Sequence, residues 1–388
     1  MKYYNCHAHA FNMQYVPDRF LKVQLNDRLA NFVHWILSHK VSAKLFFLLA
    51  KVFVRNGTTA KTIAFLAIGV KKTQEMVFLD LLSNYPIGDD VKFIILPIDF
   101  THMGAGPLAI PYAQQLEDLF EVKMKYPNKC FPFVAIDPRS GTSVENRDFV
   151  KRYMDRGFSG IKLYPALGYF AFDEGMYDLY VYAQEMEVPL MTHCSTGGIN
   201  YVGDSAPTSF IRPKAFPPLN EKNYVFEQKG RKMSVYCDQF NDPEHFKEVL
   251  AIFPNLKICF AHLGINSANK MSKIRKDRDV PAQEWYKVIM SLMKEYKNVY
   301  TDISYTIAYP GFCLWFKEEY AVYTGDIKDR ILFGTDFFMT VQEEKGNDNE
   351  IFTTVIKELG IPLFTKLSNE NVTKYLNWKG LKTKSLID

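Results

Sequence analysis

Short runs of apolar residues alternate with amphipathic segments along most of the chain. Eight runs are rich in β-branched and aromatic residues and are bounded by Gly, Pro, Asn or charged residues, a pattern that predicts buried strands. They cover residues 2–11, 91–100, 130–136, 160–164, 189–193, 256–262, 298–303 and 330–333. Between most of them the apolar positions recur with helical spacing, for example over 148–156, 177–187, 243–253 and 285–296. This alternation of strands and helices predicts an α/β fold, a (β/α)8 TIM barrel.

Two long segments interrupt the alternation. Residues 12–90 follow the first strand and are mostly helical in pattern, with a basic and amphipathic part at 21–55. We expect a helical insertion packed over the barrel, although such a face could instead touch a membrane surface or a partner. Residues 197–241 follow the fifth strand and are rich in Gly, Pro, Ser and aromatic residues. A loop this long after a barrel strand predicts a lid over the active site.

Length and composition are those of an ordinary soluble globular protein. The 388 residues fit a single barrel domain, 1–388, with insertions. Hydrophobic residues make up 47% and charged residues 23% of the chain, and a net charge of +4 is too small to indicate a nucleic-acid partner. The longest apolar stretch, 43–54, contains Lys44 and Lys51 and is shorter than the about 20 residues that a membrane span needs.

Cysteine usage and the start of the chain indicate the compartment. The six cysteines are scattered without a C-x-x-C pair, and several fall in predicted strands, where a reduced thiol serves as a small apolar side chain. The chain starts directly with a predicted strand and shows no charged and apolar regions of a secretion signal. We therefore expect a cytoplasmic protein with free thiols.

Candidate metal ligands lie at the ends of four predicted strands. His7 and His9 close the first strand, and side chains two positions apart on a strand project to the same face. Such a pair alone is a weak signal. His193, His262 and Asp336 end the fifth, sixth and eighth strands.

Each of these residues has an ordinary explanation when taken singly, as a buried histidine with a backbone partner or as a helix cap. Together they are harder to dismiss, because the carboxyl ends of barrel strands meet at one mouth. Histidines plus a carboxylate suit Zn²⁺, and with less selectivity Mn²⁺, Fe²⁺ or Co²⁺. The pattern therefore predicts a divalent metal site.

Several motifs resemble the amidohydrolase superfamily, and within it the amidohydrolase-2 group. That group includes hydrolases and decarboxylases similar to aminocarboxymuconate semialdehyde decarboxylase. The resemblance covers nearly the whole chain and rests on NCHAH at 5–9, FVAIDPR at 133–139, GFSGIKLYP at 157–165, TH at 192–193, DPEHF at 242–246, AHLG at 261–264 and FGTD at 333–336. Residues 370–376 look like the family's closing helix.

The resemblance implies a distorted (β/α)8 barrel that holds one or two divalent metals. Asp336 is expected to contact the metal and to act as the general base, which later delivers the proton to the leaving group. His262 is expected to be a ligand or a hydrogen-bond donor to a substrate oxyanion. The family's ligand roles fall on His7, His9, His193, His262 and Asp336.

Lys162 bears on the number of metal ions. Relatives with two metals often carry a carboxylated lysine on the fourth strand, where Lys162 lies. Alternatively, Lys162 stays an ammonium group that pairs with Asp336 or with a substrate carboxylate. One ion is favoured and two are an alternative, because the residues around Lys162 resemble the amidohydrolase-2 pattern more than that of dinuclear relatives. Zn²⁺ is the expected metal.

Substrate contacts are expected from the fourth strand and from the lid. Lys162 and Tyr164 would face the substrate from the strand. Arg212 and Lys214 in the lid could bind an anionic molecule, although ordinary surface charge explains each of them singly.

Three functions remain open from the sequence. The first is a metal-dependent hydrolase that cleaves a C–N or C–O bond of a small, anionic organic molecule with a metal-activated water. The second is a non-oxidative decarboxylase that uses the same metal. The third is a non-catalytic ligand-binding barrel, which is disfavoured because buried histidines and an aspartate without a metal are costly. A small molecule is the expected partner, and the sequence leaves homo-oligomer formation open.

Overall fold

Eight parallel strands form the centre of the protein, as the sequence predicts. The structure is a computed structural model, and it describes residues 1–17, 19–20, 68, 71–203, 214–216, 236–276, 281, 284–343 and 347–380. Each strand pairs with its neighbour in the chain, from β1 to β8. The strands are Lys2–Ala8 (β1), Asp90–Ile95 (β2), Cys130–Ala135 (β3), Gly160–Leu163 (β4), Leu190–Thr192 (β5), Ile258–Phe260 (β6), Val299–Asp302 (β7) and Ile331–Leu332 (β8).

All eight strands end earlier than predicted. The apolar pattern continues past the last residue that pairs in each strand, because the loops at the carboxyl ends are themselves buried. As a result, His9, His193, His262 and Asp336 lie just after their strands rather than within them. These side chains therefore lie in the loops at the mouth of the barrel, where their direction is not set by the alternation of a strand.

The barrel closes between β8 and β1, beside the paired histidines. The backbone N–H of Cys6 donates to the carbonyl of Phe333 at 2.9 Å, and that of Asp336 donates to the carbonyl of His7 at 2.8 Å. The pairing of β1 with β2 shifts register between Asn5 and Ala8. The closure thus brings His7 and Asp336, which are far apart in the chain, to one place.

Helices follow most strands and surround the barrel. The predicted helices at 148–156, 177–187, 243–253 and 285–296 are confirmed, with observed bounds Ser143–Asp155, Tyr177–Met186, His245–Ile252 and Trp285–Glu295. The helices are Gln74–Ser83 (α1), Tyr112–Lys125 (α2), Ser143–Asp155 (α3), Tyr177–Met186 (α4), His245–Ile252 (α5), Ala268–Lys276 (α6), Trp285–Glu295 (α7), Phe312–Val322 (α8), Asp348–Leu359 (α9), Ile361–Thr365 (α10) and Asn371–Leu376 (α11).

Apolar side chains fill the inside of the barrel, and α11 covers its amino-terminal end. The inner cluster comprises Tyr4, Cys6, Ile94, Leu96, Phe131, Phe133, Met191, Cys259, Tyr300 and Leu332, together with Val372, Tyr375 and Leu376 of α11. The Tyr375 hydroxyl donates to the carbonyl of Leu190, the first residue of β5, at 2.6 Å. Only the carboxyl-terminal end of the barrel is left for a site.

Both segments that interrupt the alternation fall largely outside the described residues. This applies to 21–67 of the expected helical insertion and to 204–213 and 217–235 of the expected lid. The insertion, the lid and the single-domain organisation therefore stay predictions. All six cysteines are buried, and none of them forms a disulfide bond. None of the described helices is long and apolar enough to cross a membrane.

Candidate metal centre

His7 and His9 present the same ring nitrogen to the mouth of the barrel. The Nδ1 of His7 lies 2.9 Å from Oδ2 of Asp302, and the Nδ1 of His9 lies 2.7 Å from the carbonyl oxygen of Leu96. Because both partners only accept hydrogen bonds, each Nδ1 carries a proton and each neutral ring keeps a lone pair on Nε2. Burial lowers the pKa of His7 to about 4, so this ring is neutral at pH 7.

Asp336 lies opposite these two lone pairs. Its Oδ1 is 3.0 Å from Nε2 of His9 and 3.5 Å from Nε2 of His7. Although burial opposes ionisation of Asp336, the pKa of its carboxyl lies below its usual value, so the side chain is ionised at pH 7. The buried Oδ1 accepts no hydrogen bond.

This arrangement fits a divalent cation. An anionic oxygen and two nitrogen lone pairs face one another without a proton between them, which is unfavourable unless a positive charge lies there. The ligand atoms of His7, His9 and Asp336 all lie within 4.8 Å of one another. Neutral imidazoles and a carboxylate are the donor set that zinc and related metals take.

His262 lies at the edge of this cluster. Its Nε2 is 4.0 Å from Oδ2 of Asp336, and its ring centre is 4.9 Å from that of His7. Its Nδ1 lies 3.0 Å from the carbonyl oxygen of Ser304, which can only accept. The neutral ring therefore has a lone pair on Nε2, which favours a ligand role over donation to an oxyanion.

His193 belongs to the same cavity but lies beyond His262. The two ring centres are 5.1 Å apart, and His193 is outside the group of ligand atoms that lie within 4.8 Å. Its ring stacks on Tyr164 with centres 4.3 Å apart, and its Nε2 lies 3.2 Å from the Ser195 hydroxyl. A ligand role for His193 stays a prediction.

Lys162 is fully buried, and its Nζ has no hydrogen-bond partner. The predicted pairing with Asp336 is therefore not formed. In the sheet Lys162 lies beside Met191 of β5, one layer deeper than His193. Burial lowers the pKa of Lys162 to about 8, although Asp336 and Asp302 oppose this.

A cavity of about 350 Å³ opens above the candidate metal ligands. Five of the predicted residues line it, namely His9, Tyr164, His193, His262 and Asp336. Its other walls include Phe20, Ile98, Ile199, Asn266, Tyr305, Tyr309 and Met339. No Lys or Arg is among the described residues that line it.

Lys214, one of the two predicted lid cations, is not found at this cavity. Lys214 is 77% exposed, pairs with Glu174 at 3.2 Å, and does not line the cavity. Arg212 lies outside the described residues. The expected preference for an anionic substrate therefore has no support from a lid cation in the described part of the chain.

Sequence reasoning missed two buried residues that touch the histidines. Asp302 ends β7, and its carboxylate contacts the His7 ring and the backbone N–H of His262. The hydroxyl of Ser304 lies 3.0 Å from the Nδ1 atoms of both His7 and His262. The signal was present, because β7 ends in a carboxylate at the same mouth as the other strands.

Comparisons with known proteins agree with the fold and with the resemblance. No curated protein matches the sequence. An uncharacterized TIM-barrel protein from Bordetella bronchiseptica is 15% identical, with coverage of 97% of this chain and 98% of that one and a TM-score of 0.52. A probable 2-pyrone-4,6-dicarboxylic acid hydrolase from Acinetobacter baumannii is 10% identical, with coverage of 97% and 99% and a TM-score of 0.53.

A third solved structure contains a metal. It is 5-carboxyvanillate decarboxylase from Novosphingobium aromaticivorans, complexed with manganese and 4-hydroxy-3-methoxy-5-nitrobenzoic acid. It is 14% identical to this chain, with coverage of 97% and 96% and a TM-score of 0.53. The amidohydrolase family profile matches residues 98–377. Because this match spans more than half of the sequence, the chain belongs to the amidohydrolase family, in which metal-dependent hydrolases and decarboxylases share one barrel.

Proposed function

We propose that this protein is a metal-dependent hydrolase that cleaves a C–N or C–O bond of a small organic molecule. One observation carries the proposal: the Nε2 atoms of His7 and His9 converge on Oδ1 of Asp336, a buried and ionised oxygen that accepts no hydrogen bond. Buried polar atoms rarely stay without a partner, so this arrangement supports a cation between them.

Buried charge supports the same conclusion. Asp302 and Asp336 are both buried, and the pKa of each carboxyl lies below its usual value, because neighbouring imidazoles outweigh the effect of burial. Lys162 is the buried cation nearby, and it forms no ion pair with either carboxylate. Two carboxylates against one ammonium leave an excess of negative charge, which a divalent ion would offset.

We favour one ion, Zn²⁺, with His7, His9, Asp336 and His262 as the nearest donors. A second group, formed by His7, His262 and Asp302, also lies close together. In that group, however, Nδ1 of His7 and a carboxylate oxygen of Asp302 already bond to each other. Only the group with free lone pairs is suited to an ion. A second ion would need carboxylated Lys162.

The bound metal would supply an acidic water and polarise a substrate carbonyl. Asp336 is ionised and faces the cavity, so it can accept the proton from the attacking water and return it to the leaving group. His193 is held by the stacked Tyr164 ring and by Ser195, so it can orient the reacting group. Tyr164 lines the cavity, so its hydroxyl can donate to substrate.

The cavity sets the size and character of the substrate. At about 350 Å³ it lies near the lower end of ligand pockets, so it suits a small molecule. Tyr164, Tyr305 and Tyr309 give it flat aromatic walls. An anionic substrate group would find its positive charge at the metal, with Arg212 as a further proposed contact.

Non-oxidative decarboxylation is the second candidate for the same site. It is favoured by Asp336 and the aromatic walls, because a carboxylic acid on a flat ring could sit there with its carboxylate at the metal. A decarboxylase needs a proton donor to carbon but no attacking water. Turnover of lactones and ring carboxylic acids in oxygen-18 water separates the two: label in the organic product indicates hydrolysis, and release of CO₂ together with an unlabelled organic product indicates decarboxylation.

The metal is tested first. Elemental analysis of the purified protein should show about one equivalent of a divalent transition metal, or about two if Lys162 is carboxylated. His7→Ala and His9→Ala should each lose most of it. His102→Ala is a matched control, because His102 contacts Ser140 and does not line the cavity. Protein that binds no divalent metal, even after incubation with Zn²⁺ or Mn²⁺, would remove the basis of the proposal.

A further inference from the structure

The geometry points to the Asp302 carboxylate and the Ser304 backbone carbonyl as a positioning pair that fixes the ring tautomers of His7 and His262, so that both rings present an unprotonated Nε2 to the metal. This inference rests on the proposed metal site, since only a metal ligand needs a free lone pair at that position. Neutral imidazole can carry its proton on either nitrogen, and the partner of one nitrogen decides the state of the other.

Asp302 accepts hydrogen bonds from a ring N–H, two backbone N–H groups and the Ser304 hydroxyl through its two oxygens. Its Oδ2 accepts from Nδ1 of His7 at 2.9 Å. Its Oδ1 accepts from the backbone N–H groups of His262 and Ser304, each at 3.0 Å. The side chain is completely buried, so water cannot replace any of these contacts. One carboxylate therefore holds the ring of His7 and the backbone of His262 in a single unit.

The same bonds hold an unfavourable backbone conformation. His262 has a φ of 64°, in the left-handed region that non-glycine residues rarely adopt. Its backbone N–H is tied to Asp302, and its Nδ1 donates to the carbonyl of Ser304 at 3.0 Å. The loop after β7 thus sets both the direction and the protonation of the His262 ring.

The Ser304 hydroxyl has a smaller part. It lies 3.0 Å from Nδ1 of His7 and 3.0 Å from Nδ1 of His262, and it also donates to Oδ1 of Asp302. Both rings still have their acceptors without it, namely the Asp302 carboxylate and the Ser304 carbonyl. Removal of the hydroxyl should therefore leave both tautomers unchanged, which makes Ser304→Ala a matched control.

Replacement of Asp302 by Asn has a defined effect on His7. The amide oxygen must still accept the two backbone N–H groups, since an NH₂ group there would face two donors. The NH₂ group then faces Nδ1 of His7, which must become an acceptor. The His7 proton moves to Nε2, the nitrogen that faces Asp336, and the lone pair for the metal is lost.

The experiment is nitrogen NMR of selectively labelled histidines in the metal-free protein, followed by Zn²⁺ titration against a chelator. The wild type should show His7 and His262 protonated at Nδ1, and Asp302→Asn should show His7 protonated at Nε2. Zn²⁺ affinity should fall by about 10–100-fold in Asp302→Asn. In Ser304→Ala the tautomers should be unchanged and the affinity nearly so.

The outcomes separate this inference from the proposed function. A wild-type His7 protonated at Nε2, or an Asp302→Asn variant with an unchanged His7 tautomer, would overturn the positioning role. So would Zn²⁺ affinity equal to that of the wild type in a folded Asp302→Asn. If the tautomer switches as expected but the wild type binds no metal, the positioning role stands and the proposed function fails.

Discussion

At the amino-terminal end of the barrel, Tyr375 and Leu376 of α11 pack into an apolar cluster with Tyr4 and Phe131, whereas the carboxyl-terminal end carries buried histidines and carboxylates around a cavity. The same eight strands supply both ends. The closed end buries apolar area, and its Tyr375 hydroxyl donates to the backbone carbonyl of Leu190. The open end leaves a buried carboxylate oxygen of Asp336 without a hydrogen bond.

Backbone strain is also distributed unequally. Four of the five described non-glycine residues with positive φ lie in the loops at the open end, namely His262, Leu263, Tyr305 and Asp336. Such conformations cost on the order of 1–3 kcal/mol each and persist only where surrounding contacts hold them. The comparison indicates that packing at the closed end stabilises the fold. The strained loops at the open end lower the stability and hold the side chains of the site in place.

The largest expected effect is on catalysis at the open end. Asp336→Asn should lower kcat by about 10²–10⁴-fold, because an amide cannot take the proton from the attacking water. Most of the metal should stay bound, since the histidines supply most of the affinity. Steady-state kinetics and elemental analysis measure the two effects. Loss of all metal together with activity would make Asp336 a structural ligand first.

At the closed end the expected pattern is the reverse. Tyr375→Ala should lower the free energy of unfolding by about 3–5 kcal/mol, because it leaves a cavity in a fully buried cluster. The kcat of the folded fraction should not change. Tyr375→Phe is the matched control and should cost only about 1 kcal/mol, for the lost hydrogen bond to Leu190. Urea unfolding gives both values, and a catalytic defect in stable Tyr375→Phe would contradict the division between the two ends.

Lys162 lies inside the barrel between the two ends, and burial of its ammonium group lowers the free energy of unfolding. In the metal-free protein, lowering of its pKa from 10.5 to about 8 corresponds to a cost on the order of 3 kcal/mol. The charged form is penalised in the fold, so the cost is complete below about pH 8 and disappears as the pH rises to 10.5. Lys162→Met should therefore be more stable than the wild type at pH 7.

The stability difference between wild type and Lys162→Met should narrow in unfolding experiments from pH 8 toward pH 10.5. If Lys162→Met is more stable than the wild type by the same amount at every pH, the difference comes from packing of the methionine and not from the charge of Lys162. Carboxylation of Lys162 would give a different result, because the variant would then lose metal and gain no stability. Mass spectrometry of the intact protein detects the added carboxyl group.

The smallest expected effect concerns Asp348, in a buried network behind the paired histidines. Tyr85 donates to Asp348 at 2.6 Å, and Asn5 donates to Tyr85 at 2.8 Å and to Thr335 at 2.7 Å. Burial raises the pKa of Asp348 from 3.8 to about 6, so its contribution to stability is complete below pH 3.8 and is lost as the pH rises through 6.

Asp348→Asn should remove this pH dependence. Between pH 4 and pH 7 the free energy of unfolding of the variant should rise relative to that of the wild type by on the order of 2–3 kcal/mol. Urea unfolding at several pH values measures this change. The network supports the loop that carries Asp336, so kcat should change little if the amide keeps the bond from Tyr85. Equal pH dependence of the two proteins would show that Asp348 is ionised in the fold.

Much of the fold could be read from local pattern. All eight strands were predicted at their observed places, because β-branched and aromatic runs between helical segments report burial directly. The carboxyl ends were placed too late, since buried loops there are as apolar as the strands. Asp302 was missed for a related reason: its role lies in contacts with His7 and the backbone of His262, which are distant in the chain.

The sequence by itself determined that parallel strands alternate with helices, that His7 and His9 share a face, and that His193, His262 and Asp336 come to the same mouth. Only the tertiary structure decided which nitrogen each ring presents, that the Lys162 ammonium has no hydrogen-bond partner, and that His193 lies beyond His262. The physical reason is that strand periodicity is local, whereas a tautomer, a pKa or an ion pair depends on atoms brought together by closure of the barrel.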